Sequence, residues 1–184
     1  MNCRELIFCD HTILRRGLMV VDGMLKKLED GHRIEIFDAA TILKFLRLFG
    51  DQYHQVMEET VLFPALVRAA PHQSALRQLV SEHGAERVLV TQIEEALMSK
   101  RGMVFFRSSH QLTSMLRSHC EREDIVLSDL ADQCLSKEQD TAIVAEFMKH
   151  RAEVEVYTNF ARLERRYTLL PVATATAIAT GTQI

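Results

Sequence analysis

Two histidine–glutamate pairs with the same spacing are the first residues of this chain that could do chemistry together. His54 precedes Glu58 by four residues, and His119 precedes Glu123 by four. Side chains four residues apart on a helix point nearly the same way, so each pair would present an imidazole and a carboxylate on one face. Imidazole nitrogens and carboxylate oxygens together suit iron or manganese, with zinc as a further possibility. The two pairs therefore predict a metal site, provided that their helices face each other.

Two further histidines, His11 and His83, fall on the apolar stripes of other helical stretches, so four helices would each direct one imidazole towards a common axis. The alternative is that these are ordinary core histidines with hydrogen-bonding partners, since histidine is intermediate in burial. Glu58 and Glu123 argue against that alternative, because unpaired buried charges cost several kcal/mol each. No lysine or arginine lies at the same level on those stripes, Arg87 being the nearest candidate. A pair of metal ions would supply the missing positive charge.

Counting ligands gives the same answer. Two histidines for each metal, two glutamates that bridge both metals, and an oxide or hydroxide bridge would make five bonds to each ion. An octahedral ion then keeps one position open. Ferritin-like di-iron bundles use Glu-x-x-His, whereas this chain has His-x-x-x-Glu twice.

The elements that must position these residues are helices, because apolar residues recur at intervals of three and four along most of the chain. Short connections favour antiparallel neighbours, so the expected fold is all-α: an up-down antiparallel four-helix bundle with an additional C-terminal helix. Asp38 is expected to cap the second helix, and Pro64 to kink it near its end. We expect the bundle to occupy residues 1–168 and a tail to follow at 169–184. The predicted helices span about 5–29, 38–70, 74–100, 104–135 and 137–161.

The first histidine–glutamate pair belongs to a longer motif. Residues 53–66, YHQVMEETVLFPAL, resemble the H-x-x-x-E-E-x-x-L-F-P-A-L signature of hemerythrin-like (HHE cation-binding) domains, and residues 119–127, HCEREDIVL, are similar to its second copy. The resemblance covers about residues 5–150 and implies a non-haem di-iron site that meets dioxygen, nitric oxide or peroxide. It also implies the ligands of the two iron ions. The terminal ligands would be His11, His54, His83 and His119, and the bridges Glu58 and Glu123.

Two departures from the oxygen-carrying hemerythrins bear on function. Those proteins have a further histidine one turn after the third-helix ligand, where this chain has Arg87, and they close with His-x-x-x-x-Asp rather than His-x-x-x-Glu. Both differences bring the chain closer to bacterial proteins linked to iron–sulfur centre repair and nitrosative stress. We therefore expect a protein that reacts with nitric oxide, dioxygen or hydrogen peroxide. The alternatives are a module that reversibly binds, stores or senses dioxygen, and an unreactive structural metal bundle.

Several other residues could approach such a site. His150 lies on the apolar stripe of the fifth helix. It could be an extra ligand or hydrogen-bond donor, but we expect it to lie in the core or at its edge. Tyr53 and Tyr157 could donate a hydrogen bond to bound oxygen or simply pack. Cys9 and Cys120 neighbour ligands in sequence but point away from them on an ideal helix, so no redox role is expected. The remaining histidines are expected in connections (His32, His72) or facing solvent (His110).

Composition narrows the expected partners. A net charge of -3 over 184 residues gives no reason to expect nucleic acid or an anionic membrane as a partner. The amino terminus has no signal-peptide pattern, the tail is too short and too rich in threonine and alanine to span a bilayer, and the four cysteines show no C-x-x-C spacing. We therefore expect a cytoplasmic protein with reduced thiols, whose partner is a small gaseous or peroxide ligand.

Overall fold

The computed structural model describes residues 1–71 and 73–168, and all regular structure in that part of the chain is helical. The prediction of an all-α fold is confirmed. His72 and the predicted tail at 169–184 lie outside the described residues. The α-helices are α1 (Cys3–Glu29), α2 (Ile36–Phe45), α3 (Phe63–Ala69), α4 (Ser74–Met98), α5 (Gly102–Cys134), α6 (Lys137–Val154) and α7 (Ala161–Tyr167).

Local sequence fixes both ends of α1. The Asn2 side chain accepts a hydrogen bond from the Glu5 amide, and the Glu5 carboxylate accepts one from the Asn2 amide. This reciprocal pair satisfies amides that the first turn of a helix leaves without partners. The helix ends at Glu29 before Asp30, and Gly31 follows in the left-handed region with φ of 76°, a conformation that glycine adopts without steric cost.

The second predicted helix is not a regular α-helix. After α2 the chain winds into a first π-helical segment, Leu46–Gln55. Two α-helical residues separate it from a second π-helical segment, Glu58–Leu62, which leads into α3. In a π-helix each amide bonds to the carbonyl five residues back, a rare winding that is found mostly at functional sites. Pro64 lies in the first turn of α3, directly after the π winding ends.

The predicted cap at Asp38 is wrong. The helix begins two residues earlier, at Ile36, and the Asp38 carboxylate is buried inside it. It accepts hydrogen bonds from Arg162, Arg166 and the Tyr167 hydroxyl, all of which belong to α7 or its end. The Asp38 side chain therefore bonds to a distant helix and does not cap its own.

The fifth predicted helix is also too long. It ends at Val154, a 3₁₀ turn follows at Glu155–Thr158, and α7 then forms a separate short helix. Phe160 precedes α7, is buried, and lies with its ring centroid 4.8 Å from that of Phe45. An added Cβ at Gly23 would come 1.9 Å from the Tyr167 carbonyl oxygen, so α7 packs directly on the backbone of α1.

Contacts between helices surround one continuous apolar core. Helix α1 packs against α5 and α7, α4 packs against α5, and α2 with its π extension packs against α1 and α4. Not every apolar residue of α4 joins this core, since Val80 is exposed. Among the described residues, no helix is both long and apolar enough to cross a membrane.

Candidate metal centre

Six side chains from four stretches of helix meet in the interior. His11 comes from α1, His83 from α4, and the two histidine–glutamate pairs from the π segments and from α5. Each of the six is at most 1% exposed. The structure thus brings together all the residues that the sequence predicted as ligands: His11, His54, Glu58, His83, His119 and Glu123.

Glu58 lies between two histidines on opposite sides of the cluster. Its Oε1 is 3.0 Å from Nε2 of His54, one turn earlier on the same winding, and its Oε2 is 3.4 Å from Nε2 of His83 on α4. The carboxylate therefore has one oxygen for each side. Neither oxygen makes a hydrogen bond of acceptable geometry within the described residues.

Glu123 links the other two histidines. Its Oε2 is 3.2 Å from Nε2 of His11 and 3.3 Å from Nε2 of His119. Ligand atoms close enough to hold one cation fall into two groups that share Glu123. The first group comprises His11, His54, Glu58 and Glu123, and the second His83, His119 and Glu123.

The inner atoms of the cluster lack the positive charge that their chemistry requires. Nε2 of His11 and of His54, and all four carboxylate oxygens of Glu58 and Glu123, are buried without a hydrogen bond in the described part of the chain. Leaving such atoms unsatisfied costs about 1–3 kcal/mol each, and more where they are charged. A cation bound among them would satisfy imidazole and carboxylate together, so the residues fit a metal centre.

The outer nitrogens of the histidines, Nδ1, face carboxylates. Nδ1 of His11 lies 2.7 Å from Asp124, Nδ1 of His83 lies 2.7 Å from Glu59, and Nδ1 of His119 lies 2.9 Å from Glu82. A carboxylate that accepts from Nδ1–H fixes the tautomer and turns the Nε2 lone pair inwards, as in most metal-binding histidines. The fourth contact is looser, because His54 Nδ1 is 3.7 Å from Asp10.

Two successive carboxylates face the ring of His83. Glu58 faces its Nε2 and Glu59 its Nδ1. Arg87 does not reach the centre: it donates to Glu59 and to Asp51. At the position where the oxygen carriers have a further histidine, this chain therefore has a residue that supports the outer contact of His83.

The buried charges of the cluster shift the pKa values of its own histidines. Burial alone would lower the pKa values of His54 and His119, but carboxylates, chiefly Glu58 and Glu123 respectively, raise them to about 10 and about 9. Burial and the nearby His119 instead lower the pKa of His83 to about 4. Burial and the Glu123 charge raise the pKa of Glu58. Protons on His54 and His119 thus stand where a metal ion would place its charge.

Sequence reasoning missed a buried polar pair beside the centre. The Gln55 amide donates to Glu86 Oε2 at 2.6 Å, and Glu86 Oε1 lies 3.9 Å from Nδ1 of His119. Burial raises the pKa of Glu86 to about 7. One signal was available, since Glu86 follows His83 by three residues and so shares its helical face.

The other residues considered from sequence take different places. His150 is 40% exposed and contacts the Glu146 carbonyl, so it lies outside the cluster. Tyr157 lies under the Lys44 ammonium, 5.2 Å from its ring centroid. Tyr53 is buried between aromatic rings, and burial and Asp10 raise its pKa. As expected, His110 is exposed.

The two cysteines next to ligands differ. Cys9 is exposed, whereas Cys120 is buried. Burial alone would lower the pKa of His11. The Cys120 sulfur and the Asp124 carboxylate outweigh it and raise that pKa well above its ordinary value. The geometry of a single helix could not reveal the contact between His11 and Cys120, because the two residues lie on different helices.

A family model for the hemerythrin HHE cation binding domain matches residues 4–131. The chain belongs to this family. The match includes all six residues of the cluster, and it ends before α6, short of the residue 150 to which the resemblance was expected to extend. Membership in the HHE family makes a cation the natural occupant of the buried cluster. No curated protein and no solved structure is significantly similar to the chain.

Proposed function

We propose that this HHE protein is a non-haem di-iron protein that binds and reacts with small diatomic or peroxide ligands: nitric oxide, dioxygen or hydrogen peroxide. The observation that carries the proposal is the set of buried, unsatisfied nitrogen and oxygen atoms in two adjoining groups. Stress response or repair of iron centres is the cellular setting that fits such reactivity.

Two ions are proposed because the ligand atoms divide into two sides. His11 and His54 would hold one ion, and His83 and His119 the other. Glu58 has one oxygen towards each side, and Glu123 lies against one histidine of each. Four terminal histidines and two shared carboxylates leave open positions on six-coordinate ions, and mixed nitrogen and oxygen ligands suit iron.

When bound, the iron pair would supply Lewis acidity and electron transfer to a small ligand. The residues of the chain do the rest. Asp124, Glu59 and Glu82 hold the Nδ1 protons and so keep the Nε2 lone pairs facing inwards. Burial excludes water from the centre. With a pKa of about 7, Glu86 can hold a proton at Oε1, next to the ring of His119.

The up-down order of the four-helix bundle is part of this proposal. Contacts between α1 and α5 run from His11 with Asp124 to Glu29 with His110. Those between α4 and α5 run from Glu82 with His119 to Gln92 with Ser108. In both pairs the residue numbers rise on one helix as they fall on the other, which supports antiparallel neighbours with α6 as the additional helix.

We also propose a cytoplasmic location for the protein. All four cysteines are free in the structure, which supports the cytoplasm, where thiols stay reduced. The partner that we propose is the small gaseous or peroxide ligand itself, with no role for nucleic acid or membrane.

The test begins with metal content. Protein purified from iron-replete cells should hold about two iron ions per chain by mass spectrometry, as expected for a carboxylate-bridged bundle site. His54→Ala or His119→Ala should sharply reduce the iron. His110→Ala, at an exposed histidine that contacts Glu29, is the matched control and should retain it. Equal iron in all three variants would refute the ligand assignment.

Reactivity is tested on the reduced protein. Stopped-flow mixing with dioxygen should end in the oxidised spectrum, and evacuation should not restore the reduced one. Nitric oxide should bind at both ions. Return to the reduced spectrum over repeated cycles would favour the alternative, a module that reversibly binds, stores or senses dioxygen.

A further inference from the structure

Each of the four site histidines begins the same series of contacts. Its Nδ1 faces a carboxylate, and that carboxylate is paired with an arginine. The four series are His11–Asp124–Arg15, His83–Glu59–Arg87, His119–Glu82–Arg122 and His54–Asp10–Arg151.

In three of the series the arginine lies one turn after its histidine on the same helix. Arg15 and Arg87 follow their histidines by four residues, and Arg122 follows His119 by three. The arginines approach their carboxylates at 2.5, 2.6 and 2.8 Å respectively. These three series therefore lie wholly within the segment that the HHE family model matches.

The fourth series cannot be built in this way. The residue four positions after His54 is Glu58, whose carboxylate faces the centre, and the residue three positions after it is Met57. The arginine comes instead from α6, as Arg151, from beyond the matched segment. An element outside the cation-binding domain thus completes the surroundings of one of its histidines.

The Asp10 carboxylate is fully buried, and Arg151 is the cation paired with it among the described residues. Arg151 binds Oδ1, which leaves Oδ2 without a hydrogen bond and directed at His54 Nδ1, 3.7 Å away. A buried carboxylate needs such a partner, because unpaired charge in the interior is strongly disfavoured. Without Arg151 the Asp10 carboxylate would lose the contact that holds it in place, and His54 would lose the group that orients its ring.

We propose, on the basis of the di-iron function proposed above, that Arg151 is a positioning residue that acts through Asp10 on His54. Helix α6 thereby sets how tightly the metal position of His11 and His54 holds its ion. At 3.7 Å this outer contact is longer than the 2.7–2.9 Å of the other three. The position that it serves therefore releases its ion first.

The experiment measures iron release, not turnover. Protein loaded anaerobically with ferrous iron is mixed with excess chelator, and release is followed by absorbance. The native chain should release its iron in two phases of equal amplitude. Arg151→Met should speed the faster phase about 10–100-fold, the usual effect of losing an outer partner of a metal-binding histidine, and leave the slower phase unchanged. Arg151→Lys, which keeps the charge, should restore part of the native rate.

Two controls separate positioning from general stability. Arg162→Met removes another C-terminal arginine that pairs with a buried aspartate, Asp38, and should change neither phase. Arg122→Met, at the outer contact of His119, should instead speed the slower phase. If Arg151→Met speeds both phases equally, or neither, or if the native chain releases both ions in one phase, the inference is wrong while the di-iron proposal stands. If the native chain binds no iron, both fail.

Discussion

Replacing Glu58 by glutamine should stabilise the metal-free protein and weaken the metal-loaded one. Glu58→Gln keeps the size of the side chain and removes a charge whose two oxygens are buried and unsatisfied. The amide oxygen could accept from His54 at the site of the present 3.0 Å contact. The amide nitrogen would lie near Nε2 of His83, which already has a hydrogen-bond partner in Nε2 of His119 at 3.1 Å. One of the two orphaned atoms would then have a partner, and the buried charge would be gone.

The magnitude follows from those two atoms. At about 1–3 kcal/mol each, they cost the metal-free fold about 2–6 kcal/mol. The gain should be near the lower end, about 2 kcal/mol, because the variant also loses the attraction between the Glu58 charge and the His54 ring, whose pKa that charge raises. On the proposed di-iron function, the iron-loaded variant should be less stable than the iron-loaded native chain, because it would lack a shared anionic ligand and bind the ions less tightly.

The assay is urea unfolding followed by circular dichroism, with and without ferrous iron under anaerobic conditions. Glu59→Gln is the matched control. The neighbouring Glu59 already accepts from His83 and Arg87, so its replacement should destabilise the metal-free protein by about 1–2 kcal/mol. If metal-free Glu58→Gln is less stable than the native chain, the centre is satisfied without a cation and the reasoning is refuted.

Two further predictions concern stability without metal. The folded-state pKa values of His54 and His119, about 10 and about 9, exceed their unfolded value of about 6.5, so their stabilising contribution is complete below about pH 6.5 and is lost as the pH rises towards 10. Urea unfolding in chelator should show this fall, and a flat or rising profile would contradict it. Gly23→Ala should cost about 1–3 kcal/mol, because the added methyl would meet the Tyr167 carbonyl. Gly84→Ala, which meets nothing within 4 Å, should stabilise α4 by about 0.5–1 kcal/mol; similar melting temperatures for both variants would refute the contact.

The inner part of the site could be predicted from sequence because it depends on local geometry. His119 and Glu123 are one turn apart on α5. Two side chains at that spacing point the same way on any α-helix. The same geometry brought His11 and His83 to the inside through their apolar neighbours. Chemistry then limited the choice, since buried imidazoles and carboxylates together require a cation.

Features that depend on long-range contacts could not be predicted. Asp38 was predicted as a helix cap, but α7 supplies its partners. The pairing of Arg151 with Asp10 joins residues 141 positions apart. The π winding around His54 was equally hidden, because spacing of apolar residues cannot distinguish it from an α-helix over so few turns. For Asp38 and Arg151 the decisive partner is distant in sequence.

The two sides of the centre differ in how far along the chain their partners lie. His83 and His119 are 36 residues apart on helices joined by a short turn, whereas His11 meets Asp124 across 113 residues. Closing the longer separation costs about 1 kcal/mol more chain entropy, and local contacts form sooner in folding. The side made by α4 and α5 should therefore assemble first. On the proposed di-iron function, a newly made chain that meets iron while folding would fill that side first, and the order of loading would follow the order in which the helices come together.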